Sequence, residues 1–332
     1  MHFCTKFIWT QLLKIKVGIA GESEAIKQYL PYLQSQESFE IVGSFDSSVA
    51  QNFEAFYGLS PFTDFIDRTD AIVFCGKQHH NLFDLLSECI KASKHILFEK
   101  FPDLNFTELS LLNKYKSEAD TQFYISNIFG LACTYTTARQ LVSKPSFVQY
   151  LIQIPFNTPF NDASNQALLN ESIDMVLRCV NSPVNKVKID QQYIFNQSPD
   201  EVKLHITFDN KANAEIIMNH VSLSASQTLT LYQKGKIIKA NIDQLQVEET
   251  KLDIHMSHQL PFDDPNASQT AVAQNMNTSE KKIMYFDVIQ KDLMNFVDCI
   301  NNRVSPLVSL EEAMSVYNVM QHLTYSQHET LV

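Results

Sequence analysis

In the first 125 residues, apolar positions fall into short unbroken runs separated by longer amphipathic stretches. The runs KIKVGIA (14–20), FEIVGSFD (39–46), AIVFC (71–75), HILFEK (95–100) and QFYISN (122–127) read as strands. The stretches AIKQYLPYLQS (25–35), SVAQNFEAFYG (48–58), NLFDLLSECIKAS (81–93) and FTELSLLNKYKSEA (106–119) read as helices. Buried strands alternating with helices predict a doubly wound parallel sheet covered on both faces. The rhythm then changes. A helix (134–144), a strand (146–154) and a second helix, ALLNESIDMVLRCV (167–180), lead into a run of period-2 strands at 185–195, 201–209, 212–220, 227–234 and 236–241. Tight connections such as Asp209-Asn210-Lys211 suit a large open, mostly antiparallel sheet. Polar residues from 260 to 282 predict a long loop, and two helices end the chain, the second with Ser309 and Glu312 at capping-box spacing. The expected organisation is α/β: residues 1–126 as one domain, 127–286 as an α+β domain, and 287–332 as closing helices.

Charge and composition narrow the function classes. The 332 residues carry a formal charge of -11, and of 26 basic residues only Arg68, Arg139, Arg178 and Arg303 are arginine. Arginine grips phosphate and base edges best, so an acidic, arginine-poor chain predicts no nucleic-acid partner. No apolar run approaches the ~20 residues that span a bilayer, so no membrane partner is expected. The opening FCTKFIWTQLL is a poor signal peptide, because Lys6 interrupts it and no small-residue cleavage site follows. The six cysteines are scattered without a CxxC pair, which suits reduced thiols and a cytoplasmic protein.

The turn after the first strand, Gly21-Glu22-Ser23-Glu24-Ala25-Ile26, has the layout of a Rossmann-type dinucleotide turn with most of its glycines replaced. Gly21 serves as the first glycine. Ser23 stands at the second position, where backbone approaches pyrophosphate, and Ile26 at the third, where helix meets strand. Glu22 and Glu24 suit the helix dipole but repel a diphosphate arriving there. Asp46 ends the second strand, where a carboxylate accepts hydrogen bonds from ribose hydroxyls; the alternative is a cap on the following helix. With Ser47 and Ser48 next and no arginine, NAD is preferred over NADP.

Three stretches together resemble the Gfo/Idh/MocA oxidoreductase family (glucose–fructose oxidoreductase, inositol dehydrogenase and relatives). They are Val17–Asp46, DAIVFCGKQHHNLFDLLSECIKASKHILFEKFP (70–102) and KDLMNFVDCINNRVSPLVSLEEAMSVYNVM (291–320). The resemblance implies an NAD- or NADP-dependent enzyme with a Rossmann-type first domain. It maps the family's Glu-Lys-Pro signature onto Glu99 and Lys100, with Phe101 in place of the proline. In the family that lysine hydrogen-bonds the reacting hydroxyl and stabilises developing alkoxide. Gly76 and Lys77 replace a Thr-Pro pair beside the cofactor: Gly76 permits close backbone approach, and Lys77 is either a phosphate partner or a solvated loop lysine. On the helix 167–180 the family's aspartate, histidine and aspartate fall on Ala167, Glu171 and Asp174, so Glu171 becomes the candidate general base. Asn127 falls where relatives face cofactor or substrate, and is otherwise a turn asparagine. The family's open sheet packs against another subunit, so a homodimer or higher oligomer is expected. Val202, Leu204, Ile206 and Phe208 would supply the apolar face for this, unless they face the helices.

Other clusters are weaker. His255 and His258, with Asp253, Asp263 and Asp264, have spacing a metal could use but sit in expected loop, so no metal is assigned; His79 and His80 begin a helix. Two functions stay open. One is an NAD(P)-dependent oxidoreductase that transfers hydride from a small sugar, cyclitol or related polyol. The other is a catalytically inactive relative that binds or scaffolds.

Overall fold

The computed structural model describes residues 14–46, 62–76, 81–156, 163–252, 276–283 and 287–329. The chain divides into two compact units, 1–126 with 289–311 and 127–288 with 312–332.

The first unit holds β1 (Ile15–Gly21), α1 (Ser23–Ser35), β2 (Phe39–Asp46), α2 (Phe62–Asp67), β3 (Ala71–Cys75), α3 (Leu82–Lys91), β4 (His95–Phe98), α4 (Phe106–Ala119) and β5 (Phe123–Ile125). The strands form one parallel sheet in the order β2-β1-β3-β4-β5. The chain leaves β1 toward β2 and then returns past β1 to β3. The switch point between β1 and β3 is where open α/β sheets form ligand crevices, at the carboxyl ends of the strands. One face is packed by Ile26, Tyr29 and Leu33 of α1 and by Leu293, Phe296 and Cys299 of α8 (Val288–Asn302). They meet Ile15, Val17, Ile19, Val73 and Leu97 of the strands. Rings fill the other side, with Phe45 4.8 Å from Phe62 and Phe74 5.8 Å from Phe98 between centroids. The expected helix at 48–58 lies outside the described residues.

The second unit begins with α5 (Ile128–Leu131) and α6 (Cys133–Leu141), followed by β6 (Phe147–Pro155) and α7 (Ala163–Val180). Then come β7 (Val184–Gln192), β8 (Glu201–Phe208), β9 (Asn213–Ser222), β10 (Ser226–Gln233), β11 (Lys236–Asn241), β12 (Gln246–Leu252) and β13 (Met276–Lys282). Most of α9 (Leu310–Glu329) also belongs to this unit. The eight strands run β13-β12-β11-β10-β6-β9-β8-β7, and every pair is antiparallel except β6 with β9. The expected fold class, a doubly wound parallel sheet plus a large, mostly antiparallel open sheet, is the one observed.

Two expectations change. The last residues of the expected 260–282 loop form β13, which pairs along its whole length with β12. Its sequence, MNTSEKK, has no apolar alternation because it is an exposed edge strand with no face to bury. The rest of that loop lies outside the described residues. Val202, Leu204, Ile206 and Phe208 are all buried within the single chain. They face inward with Ile216 and Met218 of β9, so they supply no apolar surface for a second subunit.

Candidate functional site

The crevice at the switch point is built from backbone. Gly21 ends β1 and pairs with Asp46 at the end of β2 and with Cys75 at the end of β3. A Cβ at Gly21 would stand 2.0 Å from the Cys75 carbonyl oxygen, so only glycine fits. A single residue, Glu22, links β1 to α1. Its backbone is extended (φ -72, ψ 144), and its side chain makes no cap hydrogen bond. The first-turn N–H groups of α1 therefore have no carboxylate of the N-cap residue folded onto them, and the positive end of the helix faces the mouth of the crevice. Of the bulkier replacements in the turn, Ile26 points into the core beside Ile19 and Val73. Ser23 and Glu24 are exposed, and the Glu24 carboxylate lies 3.6 Å from the Lys27 ammonium, one helical turn from the mouth. The N-cap residue thus places no side-chain oxygen on the first-turn N–H groups of α1, which suits a helix N-terminus that meets a diphosphate.

Across the crevice, Gly76 follows β3 at φ +85, where a Cβ would come 3.0 Å from the Ala25 Cβ. The loop leaving β3 rests on the first turn of α1. The Gly76 N–H donates to Glu99 Oε2 at 2.6 Å, and the Glu99 N–H donates to the Phe74 carbonyl at 2.9 Å. Glu99 therefore staples the carboxyl end of β4 to that of β3. Lys100 follows, half-buried at the strand end. Phe101 is buried, so the position of the family's proline carries a core ring. Burial, with the Glu99 charge adding to it, pushes the Cys75 thiol up to about 12, so it is no nucleophile. Lys77 and both histidine groups, His79–His80 and His255–His258, lie outside the described residues, as does the side chain of Asp46. Among the described residues no cluster of three or more His, Cys, Asp or Glu could hold a metal ion.

Behind this edge lies an acid the sequence reasoning missed. Asp292 of α8 is buried and accepts the Tyr124 hydroxyl at 2.7 Å. Burial pushes its carboxyl up to about 6; hydrogen bonding, including that from Tyr124, opposes the rise and the Glu99 charge adds to it. The available signal was position: Asp292, Phe296 and Cys299 fall on one helical stripe, and all three are buried.

In the second unit the candidates gather on α7. Asn127 is fully buried. Its Nδ2 donates to Asp174 Oδ2 at 2.7 Å and to the Glu171 carbonyl at 3.2 Å, and its Oδ1 accepts the Gly130 N–H at 2.8 Å. Asp174 forms an ion pair with Arg178, one turn further along α7. Burial pushes the Asp174 carboxyl up to about 6, while Arg178 and Asn127 pull it back. Glu171 is also buried, one turn before Asp174 on the same face. The structure thus brings Asn127, Glu171 and Asp174 together in one unit, and Gly21, Ser23, Gly76 and Glu99 together in the other. Arg178 was missed, although its spacing of four from Asp174 was readable.

No family model matches the sequence, and no curated protein matches it. Solved structures do match in fold. UDP-N-acetylglucosamine 3-dehydrogenase GnnA from Acidithiobacillus ferrooxidans superimposes with a TM-score of 0.76 at 12% identity, covering 93% of this chain and 96% of that one. The dehydrogenase MviM from Clostridium difficile gives 0.73 at 15% identity, over 94% and 99%. A biliverdin reductase from Synechocystis sp. PCC 6803, solved with biliverdin and NADP+, gives 0.68 at 12% identity, over 94% and 98%. The chain has the fold of Gfo/Idh/MocA-type dehydrogenases.

Proposed function

We propose that this chain is an NAD(P)-dependent oxidoreductase that oxidises an alcohol carbon of a sugar, cyclitol or related polyol. The single observation that carries the reading is the switch-point crevice. Its two walls are glycines, Gly21 and Gly76, and beside them α1 begins at an N-cap residue, Glu22, whose side chain makes no cap hydrogen bond. The dehydrogenase and reductase names of proteins sharing the fold support the same class.

In this scheme the α1 N-terminus and the backbone at Gly21 and Ser23 hold the diphosphate, and Asp46 takes the adjoining ribose hydroxyls, which favours NAD. A bound nicotinamide ring supplies the hydride acceptor. Glu99 fixes the Gly76 loop against the α1 turn and sets the place of Lys100. Lys100 donates to the reacting hydroxyl and stabilises the alkoxide as the proton leaves. Glu171, buried on α7, accepts that proton. Asp174 and Asn127 enter as the groups that fix α7 and the carbonyl of Glu171. Residues 1–126 form the cofactor half and 127–286 the substrate half, with 287–332 closing the structure. The protein works in the cytoplasm as a homodimer or larger homo-oligomer.

Fluorescence titration with NADH and NADPH tests the reading. Saturable binding, tighter for NADH, is the expected result, with Lys100→Ala binding normally and losing turnover on a polyol panel. No binding of either nucleotide at millimolar concentration would overturn it and leave a binding or scaffolding role.

A further inference from the structure

One face of the parallel sheet brings two carboxylates to its carboxyl end. Leu97 of β4 and Tyr124 of β5 are partners in register, and both lie in the core covered by α1 and α8. The sheet's hydrogen bonding continues just past these strands: the Glu99 N–H donates to the Phe74 carbonyl at 2.9 Å and the Ser126 N–H to the Phe98 carbonyl at 2.8 Å. Side chains alternate along a strand, so Glu99 leaves the edge on the same face as Leu97, and Ser126 on the same face as Tyr124. Asp292 of α8 reaches this end too. It is 2% exposed and accepts the Tyr124 hydroxyl at 2.7 Å. The charge that bears on it is that of Glu99, and it has the same sign.

Glu99 has a second task. Its Oε2 accepts the Gly76 N–H at 2.6 Å, which holds the loop leaving β3 against the first turn of α1. The two acids differ in freedom. Asp292 is fixed in a packed helix, whereas Glu99 is half-buried at a strand end. With a proton on Asp292 a single charge stands on this face, and Glu99 stays on Gly76. Loss of that proton sets two like charges close together away from water. Glu99 relieves the repulsion by turning toward solvent or by taking up a proton itself. Either way the Gly76 N–H loses a charged acceptor, the stronger kind.

The other titratable groups on this face are Tyr29 of α1, Cys75 of β3, Tyr124 of β5 and Cys299 of α8. Burial pushes the Cys75 thiol up to about 12 and the Cys299 thiol up to about 11, and raises the Tyr124 hydroxyl further, so these three keep their protons between pH 5 and pH 8. Burial also raises the Asp292 carboxyl, to about 6; the hydroxyls of Ser126 and Tyr124 oppose the rise and the Glu99 charge adds to it. Asp292 therefore loses its proton inside that window.

We propose that Asp292 is a positioning residue for the switch-point crevice: carrying its proton it lets Glu99 hold the Gly76 loop on α1, and ionised it drives Glu99 off that loop. The proposal rests on the dinucleotide reading above and adds a proton linkage to it. The crevice is set for a nucleotide when Asp292 is protonated, and it loosens as pH rises through about 6. Asp292 touches neither cofactor nor substrate in this scheme and acts through Glu99 alone.

The test reads the Gly76 N–H by nuclear magnetic resonance of the full chain. The sequence has seven glycines, and Cys75-Gly76 is its one Cys-Gly pair. Nitrogen-15 glycine with carbonyl-carbon-13 cysteine therefore singles out that amide. Between pH 5 and pH 8 we expect the wild-type Gly76 proton to move upfield with a midpoint near the Asp292 value of about 6. In Asp292→Asn, which keeps an acceptor for Tyr124 but cannot ionise, it should stay downfield throughout. In Glu99→Gln it should lie upfield at every pH. A wild-type signal that does not titrate overturns the proposal without need of a variant, and so does a titration unchanged in Asp292→Asn. Calorimetric titration with NAD+ at pH 5 and pH 8 separates the positioning role from the cofactor. We expect binding about fivefold or more weaker at pH 8, an ordinary coupling between two sites, and no such difference in Asp292→Asn. Equal wild-type affinity at the two pH values overturns the linkage. A titrating Gly76 with no NAD+ binding at either pH upholds the hold of Asp292 on the loop and overturns the dinucleotide reading instead.

Discussion

Asp174 and Arg178 show how much one residue pair on α7 is asked to hold. Their side chains are 2% and 11% exposed. The same Asp174 oxygen also takes the Asn127 amide, so one carboxylate ties the segment at Asn127 to the helix that carries Glu171. Removing one partner of a buried ion pair leaves an uncompensated charge and costs about 3–5 kcal/mol. Replacing both with apolar residues of similar volume is often near neutral. Urea unfolding should therefore show Asp174→Ala losing a few kcal/mol, with the double change Asp174→Leu, Arg178→Met regaining most of it. A loss below about 1 kcal/mol for the single variant would mean the pair is not sealed from water. The sequence made Asp174, Asn127 and Glu99 visible as polar residues at a helix face and at strand ends. Apart from the spacing of four between Asp174 and Arg178, it did not make the bonds they form visible. The bond from the Gly76 N–H to Glu99 depends on β3 lying beside β4, which is a fact of sheet order rather than of spacing.

At the scale of elements, what was legible follows burial. The strands of the parallel sheet were found because both faces are covered and their apolar runs are unbroken: β1 and β3 match the expected segments closely. β13 was missed because an exposed edge strand has no apolar face to announce it. The inward direction of Val202 and its neighbours on β8 could not be read, because period-2 alternation reports two faces without saying which one is covered. α8 carries a pH signature of its own, because its buried stripe contains Asp292. Its carboxyl lies at about 6 against an ordinary 3.8. The folded state thus favours the protonated form. The stabilisation is fully present below about 3.8 and is lost as pH rises through about 6. A shift of that size corresponds to on the order of 3 kcal/mol. Asp292→Asn keeps a polar partner for Tyr124 but cannot ionise. Between pH 4 and pH 7 the variant should gain stability relative to the wild type, by up to about that amount. Chemical unfolding at the two pH values measures it. A constant difference would show that Asp292 is not shifted.

At the scale of the whole molecule, the order of the chain and the order of the fold part company. The first unit takes its last structural layer from residues 289–311, after the entire second sheet has been made. Leu293, Phe296 and Cys299 of α8 share a core with Ile15, Val17, Val73 and Tyr124. Each of the three is almost wholly buried. Phe296 also meets the Tyr124 ring edge to face, 5.9 Å between centroids. Val308 adds a bridge to Ile125 at the edge strand β5. A chain cut at residue 286 would expose one face of the parallel sheet and leave the Tyr124 hydroxyl without its carboxylate acceptor. Fully burying a large apolar side chain is worth about 1.5–3 kcal/mol. Loss of three together is comparable to the whole stability of a typical domain. We therefore expect residues 1–286 to express as aggregate or as a molten species. Such a species would keep far-ultraviolet dichroism, lose its cooperative melt and bind hydrophobic dyes. A fragment that melts cooperatively near the full-length temperature would show instead that the parallel sheet is complete without α8. Cooperative melting regained on adding back residues 287–332 as a separate peptide would place the defect in the packing of α8 and α9, because the peptide restores those side chains without restoring chain continuity.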